Sequence, residues 1–202
     1  MNDVNFNKTL VWINGLVPLA IIGWDAVNKR LGANPVEYFL RTMGVLTLVF
    51  VMLTLLVTPL RKVFGWNQMI KYRRVLGLFA FFYGVMHLST YLVFDRNLDL
   101  PGVVNDVIER PFIALGMAAL TMMVPLAATS TNKMIKRLGG KRWQRLHRLI
   151  YLTAIAGVFH FWLIVKSDLF YPMVFAGILS VLFAARVIYS LRSKFRAPAV
   201  KP

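Results

Sequence analysis

Cysteine is absent from the 202-residue chain. That removes disulfides, thiolate zinc sites, iron–sulfur clusters and cysteine nucleophiles together. Any metal must then be held by histidine, methionine, carboxylate or the ring of a cofactor. Carboxylates are themselves scarce: eight Asp and Glu stand against 24 Lys and Arg, a net charge of +16. Histidine is scarcer, with only His87, His147 and His160. No glycine-rich dinucleotide fingerprint occurs and no extra soluble domain is expected, so a nicotinamide cofactor cannot be bound in the usual way. A separate donor of reducing equivalents would be required. There is no internal repeat and no low-complexity segment.

What the chain has in abundance is uncharged apolar sequence. Hydrophobic residues make up 58% and mean hydropathy is +0.61, against about 45–50% apolar residues in a soluble domain. Several long runs lack Asp, Glu, Lys and Arg entirely. The expected class is therefore all-α, a polytopic six-helix transmembrane bundle forming a single domain over 1–202. The expected spans are about 10–27, 42–60, 75–94, 111–131, 149–165 and 172–189, with a basic tail over 191–202. Thr58-Pro59 reads as the stop of the second span, and Pro111 as the first turn of the fourth.

Six spans place both ends on one side, and the cations say which. With the N-terminus inside, the inner segments hold 18 of the 24 Lys and Arg and only one acid, Asp3. That bias predicts cytoplasmic N- and C-termini. The same placement sets nucleic acid aside, because the positive charge is spread over membrane-flanking loops rather than gathered into a binding face.

The stretch from Lys141 to Lys166 opens with cations and becomes almost wholly apolar. His147 sits at its charged lip and His160 lies 13 residues on, roughly 20 Å along a helix. His87 lies deep in the run Val75 to Phe94. Counted from the inner boundary, His87 and His160 reach nearly the same depth on different helices, and His147 stands alone at the boundary. An ionisable ring at mid-membrane depth points to function. Spacing alone leaves three readings for the level pair: haem held between two imidazoles, a hydrogen-bonded strut between helices, or a proton relay. Gly84 and Ala156-Gly157 would leave room at a ring edge.

The residues of these runs resemble a known family. R-R-V-L-G-L-F-A-F-F-Y-G-V-M-H-L-S-T-Y (Arg73 to Tyr91) is similar to the third-helix signature of the MsrQ (YedZ) family. So are G-A-N-P-V (Gly32 to Val36), E-R-P-F (Glu109 to Phe112) and A-T-S-T (Ala128 to Thr131). The most specific block is L-G-G-K-R-W-Q-R-L-H-R-L-I-Y-L (Leu138 to Leu152) through H-F-W (His160 to Trp162). The resemblance covers about residues 10 to 190. It implies a ferric-reductase-like transmembrane domain in the bacterial inner membrane, related to those of NADPH oxidases and STEAP proteins. It implies one or two b-type haems on the histidines matching His87, His147 and His160, with FMN or a quinone as further cofactors. It implies a periplasmic molybdenum-containing partner, MsrP, that reduces methionine sulfoxide in damaged proteins, and quinol or a cytosolic flavin reductase as electron donor.

One departure from the wider superfamily matters. Four-histidine relatives carry two ligands on each of two helices, whereas here Arg73 and Arg74 stand one step below His87. An inner haem would have His147 without a histidine opposite. The inner site could equally take a flavin or quinone, and Arg73, Arg74 and Arg145 would suit propionates or a flavin phosphate. As plain alternatives, these cations set topology and Trp143 belongs to an interfacial aromatic belt rather than flanking a ring cofactor. Asp95, Asp99, Asp106 and Glu109 cluster in one outer loop, either meeting a periplasmic partner or simply solvated. Two rival functions remain: a cytochrome b561-like quinol oxidoreductase lacking that partner, and a proton-coupled transporter using the histidines as a relay.

Overall fold

A computed structural model describes residues 3–165 and 167–195. Among the described residues the secondary structure is helical, with no strand. In chain order the helices are α1 (Asp3–Val27), α2 (Pro35–Phe64), α3 (Arg73–Thr90), α4 (Leu100–Glu109), α5 (Pro111–Ala128), α6 (Asn132–Leu138), α7 (Gly140–Leu146), α8 (Leu149–Ile164) and α9 (Phe170–Phe195). Six segments are long and apolar enough to cross a bilayer: Phe6–Val27, Pro35–Phe64, Arg73–Asp95, Pro111–Ala128, Gly140–Ile164 and Phe170–Arg192. The chain is thus an all-α, six-span transmembrane bundle.

Four helices form its centre. α2 lies along α3 and α5 along α8, and the two pairs meet through α3 with α5 and α2 with α8. α1 leans on α3, while α9 lies against α2 and α8. Lipid tails are as apolar as leucine, so such helices associate by close packing rather than by expelling water. The packing is aromatic around Phe79. Phe50 stacks on Phe79 at 5.3 Å and on Tyr83 at 5.4 Å, and Trp12 of α1 tilts onto Phe79 at 5.0 Å. The buried Tyr83 hydroxyl donates to the Gly15 carbonyl at 2.6 Å. A Cβ on Gly15 would lie 2.3 Å from the Phe79 ring, so glycine is what lets α1 approach.

Helix boundaries depart from the expected spans in several places. α2 begins at Pro35, because the Asn34 side chain accepts from the Glu37 amide at 3.1 Å and Pro35 suits a first turn. It then runs through Pro59 to a left-handed cap at Gly65 (φ 69°) instead of stopping at Thr58-Pro59. Proline lacks an N–H, which frees the carbonyl four residues back. That carbonyl belongs to Leu55, and a terminal guanidinium nitrogen of Arg186 donates to it. The segment between the fourth and fifth spans holds α6 and α7, joined at Gly139. α9 continues to Phe195, so the first part of the expected tail is helical; residues 196–202 lie outside the described residues.

Candidate functional site

His87 on α3 and His160 on α8 face each other across the centre of the bundle. Their ring centroids are 6.0 Å apart and their planes nearly perpendicular, at 86°. Each ring is anchored to a different neighbouring helix. His87 Nδ1 lies 2.9 Å from the Leu40 carbonyl of α2, and His160 Nδ1 lies 2.5 Å from the Phe112 carbonyl of α5. A carbonyl oxygen only accepts, so each Nδ1 carries the hydrogen and donates it. Each Nε2 is left with its lone pair, the tautomer that a ligating imidazole needs.

The anchoring uses the same device twice. Gly44 follows Leu40 by four residues, and Gly116 follows Phe112 by four. A Cβ on Gly44 would stand 3.1 Å from His87 Nδ1, and one on Gly116 would stand 2.7 Å from His160 Cε1. Each imidazole therefore lies against a glycine and reaches the carbonyl one turn earlier. That carbonyl has two lone pairs, so it can serve both its own helix and the ring. The glycines singled out from sequence do something else. A Cβ on Gly84 would meet Leu120 and Thr47, and one on Gly157 would meet Leu48. They are helix-packing residues, not a ring-edge recess.

The donor set restricts what this pair can hold. No group of three or more His, Asp and Glu side chains gathers among the described residues. A bare cation would find two nitrogen ligands and little else. A metal that brings its own equatorial ligands needs only two axial ones, as haem iron does. Imidazole nitrogen sits about 2 Å from a transition metal, so rings on opposite sides of one metal have centroids about 6 Å apart. The observed separation and the two free Nε2 atoms fit such a group.

His147 lies apart, at the break between α7 and α8. Its Nε2 is 3.1 Å from Thr129 Oγ1. The Thr129 hydroxyl already donates to the Pro125 carbonyl at 2.6 Å. It must therefore accept from His147 Nε2–H, which leaves Nδ1 as the basic nitrogen. This is the opposite tautomer to that of His87 and His160. Trp143 stacks on His147 at 3.9 Å, and its indole N–H donates to the Thr129 carbonyl at 3.0 Å. Arg73, half-buried, and Arg74, exposed, lie within electrostatic reach of His147. Arg145 is exposed on α7. The structure thus gathers His147, Trp143, Arg73 and Arg74 at one end of the bundle. Thr129 falls within the A-T-S-T motif, but its contact with His147 spans 18 positions and gives no local signal.

At the opposite end, four residues beyond His87, Tyr91 opens a single π-helical turn (Tyr91–Asp95). Its hydroxyl bonds to the buried Asp106 carboxylate of α4, which also pairs with Arg96 and, at 3.3 Å, with Arg110. The Tyr91 hydrogen bond, with Arg96 and Arg110, holds the Asp106 carboxyl below the usual range, against the opposing effect of burial. Of the four carboxylates Asp95, Asp99, Asp106 and Glu109, Asp106 is thus an internal lock. Asp99 caps α4 by accepting from the Gly102 amide at 3.2 Å. Asp95 and Glu109 are exposed.

Residues 43–158 match the family described as the ferric reductase like transmembrane component. The match contains His87 and His147 and ends just short of His160. It defines the class to which a helical membrane bundle with this histidine pair belongs. The chain is also 43% identical over 195 residues to the protein-methionine-sulfoxide reductase heme-binding subunit MsrQ of Herminiimonas arsenicoxydans, covering 96% of this chain and 89% of that protein. It is 46% identical over 194 residues to the subunit of the same name from Rhodospirillum rubrum, covering 95% and 93%. For that of Ralstonia nicotianae the identity is 46% over 182 residues, covering 89% and 84%. The chain belongs to the MsrQ family of ferric-reductase-like transmembrane proteins.

Proposed function

We propose that the protein is a b-type-haem electron-transfer subunit of the bacterial inner membrane. It passes electrons from quinol or a cytosolic flavin reductase to the periplasmic molybdenum-containing methionine sulfoxide reductase MsrP. The observation that carries this reading is the facing pair His87 and His160, 6.0 Å apart, with both Nδ1 hydrogens committed to carbonyls. Haem held by His87 and His160 would supply one-electron transfer rather than oxygen activation. The protein's part is orientation and exclusion. The Leu40 and Phe112 carbonyls set the tautomer and ring plane, Gly44 and Gly116 set the distance, and the apolar faces of α2, α3, α5 and α8 keep water out.

The end holding His147, Trp143, Arg73, Arg74 and Arg145 is the entry side, cytoplasmic on the cation bias. It offers an imidazole, an aromatic face and guanidinium groups, suited to a second haem, FMN or a quinone. On this reading α1 begins and α9 ends on the cytoplasmic side. The end held by Tyr91, Asp106 and Arg96 then faces the periplasm and the partner.

The test is the absorption spectrum of the purified protein. A Soret band that shifts on reduction is expected, together with its loss in folded His87→Ala and His160→Ala. A bis-imidazole spectrum retained in either variant overturns the ligand assignment. Copurification with a periplasmic molybdoenzyme tests the partner.

A further inference from the structure

A cavity of about 270 Å³ opens between α2, α8 and α9, away from the histidine pair. Lys62, Arg186, Tyr151, Tyr189 and Thr58 line it. Arg186 stands over the Tyr151 ring at 5.6 Å, and Lys62 over the Tyr189 ring at 5.7 Å. Two cations therefore share one recess, and among the described residues no carboxylate pairs with either. α8 and α9 contain no Asp or Glu. The one acid of α2, Glu37, lies 25 residues from Lys62, about 37 Å along the helix, and is ion-paired with Arg41 at 2.5 Å.

Arg186 also has donors to spare. A guanidinium offers five N–H groups. One goes to the Leu182 carbonyl at 2.8 Å and one to Leu55, and the Tyr151 hydroxyl is a further side-chain partner. Its Nε is buried and has no hydrogen-bond partner among the described residues. A buried donor without an acceptor calls for one from outside the chain. Oxygen-rich anions, phosphate above all, match guanidinium geometry. Beside the recess, Val187, Ile188 and Leu191 of α9 are exposed by 57%, 48% and 49%. An apolar tail would lie along them.

We infer that this recess binds a phosphodiester, and that its occupant is the head group of an anionic phospholipid. Its phosphate bridges Lys62 of α2 and Arg186 of α9, and its acyl chains follow the outer face of α9. The site joins the peripheral helix to the central four through a lipid, independently of any haem.

The test uses the full chain in nanodiscs of phosphatidylcholine with a minor fraction of phosphatidylglycerol, followed by native mass spectrometry. Wild-type protein is expected to retain one phosphatidylglycerol in preference to phosphatidylcholine. Lys62→Gln lowers that retention about fivefold, the factor contributed by one cation near an anionic head group, and Lys62→Arg restores it. Helical circular dichroism and gel filtration confirm that both variants are folded. Arg186→Gln is the weaker probe, because it also strips the Leu55 carbonyl. Inorganic phosphate or FMN in the buffer should leave the retained lipid in place. Equal retention of both lipids, or an unchanged Lys62→Gln, overturns the site. Displacement of the lipid by inorganic phosphate or FMN overturns the lipid assignment in favour of a soluble phosphate.

Discussion

Replacing Gly116 with alanine tests how the histidine pair is built. The new Cβ would stand 2.7 Å from His160 Cε1 and 2.8 Å from Nδ1, where ordinary contact begins at 3.4 Å. The ring must give by about 0.7 Å, the difference between 3.4 and 2.7. Retreat of α5 would open the whole face it packs against α8, so the ring is expected to move instead. A shift of that size stretches the 2.5 Å Nδ1–H···O contact with Phe112 to about 3.2 Å, the outer limit for such a bond, or tilts it out of line. Loss of the hydrogen bond that orients a ligating imidazole costs about 10- to 100-fold in metal affinity. At Gly44 the same substitution asks for only about 0.3 Å, from 3.1 to 3.4. At Gly177 nothing lies within 4 Å of the new Cβ. The expected series for haem retained through gel filtration is therefore Gly116→Ala lowest, Gly44→Ala intermediate and Gly177→Ala equal to wild type. Electron paramagnetic resonance of the oxidised protein should show the ligand field perturbed in the same order. Wild-type haem content and spectrum in Gly116→Ala would falsify the proposed anchoring.

Other perturbations follow from the same contacts. Arg186→Met leaves the Leu55 carbonyl without a donor and should destabilise the bundle by about 1–2 kcal/mol. Pro59→Ala returns the missing N–H, so the double variant should melt above Arg186→Met alone; additive losses would refute the coupling. The Asp106 carboxyl is held below the ordinary value of about 3.9. A depressed carboxyl stabilises the fold fully above its unfolded value and loses that contribution as pH falls through the folded one. Wild-type melting temperature should thus drop below about pH 4, with Asp106→Asn destabilised at neutral pH and flatter across that interval; parallel curves would count against it. In haem-free protein, ¹⁵N resonances should report Nδ1–H for His87 and His160 and Nε2–H for His147, and a shared tautomer would contradict the hydrogen bonds described.

The sequence carried the parts of this structure that depend on composition and local pattern. Six apolar runs were legible because a bilayer demands length and lack of charge, and both are local properties. The approach of His87 to His160 could be anticipated from two counts up from the cationic boundary. Their anchors could not be seen, because the partner carbonyls lie 47 and 48 positions away on other helices. Gly44 and Gly116 looked like any membrane-helix glycines, while Gly84 and Gly157, near the histidines in sequence, pack against leucines instead. Pro59 carried the usual stop signal, and the guanidinium that lets α2 continue lies 131 positions beyond Leu55, whose carbonyl it takes. Asp106 and Asp99 read as loop acids because their roles as lock and cap depend on where Tyr91, Arg96 and the first turn of α4 fold.

The two jaws of the histidine clamp belong to different halves of the molecule. His87 is fixed to α2 while riding on α3, and His160 is fixed to α5 while riding on α8. These are the two intimately packed helix pairs, and the seam between them is the thinner one. Whatever the rings grip together acts as a rivet across that seam. A cofactor held there would tie the α2–α3 pair to the α5–α8 pair, so its loss would loosen the bundle along that seam.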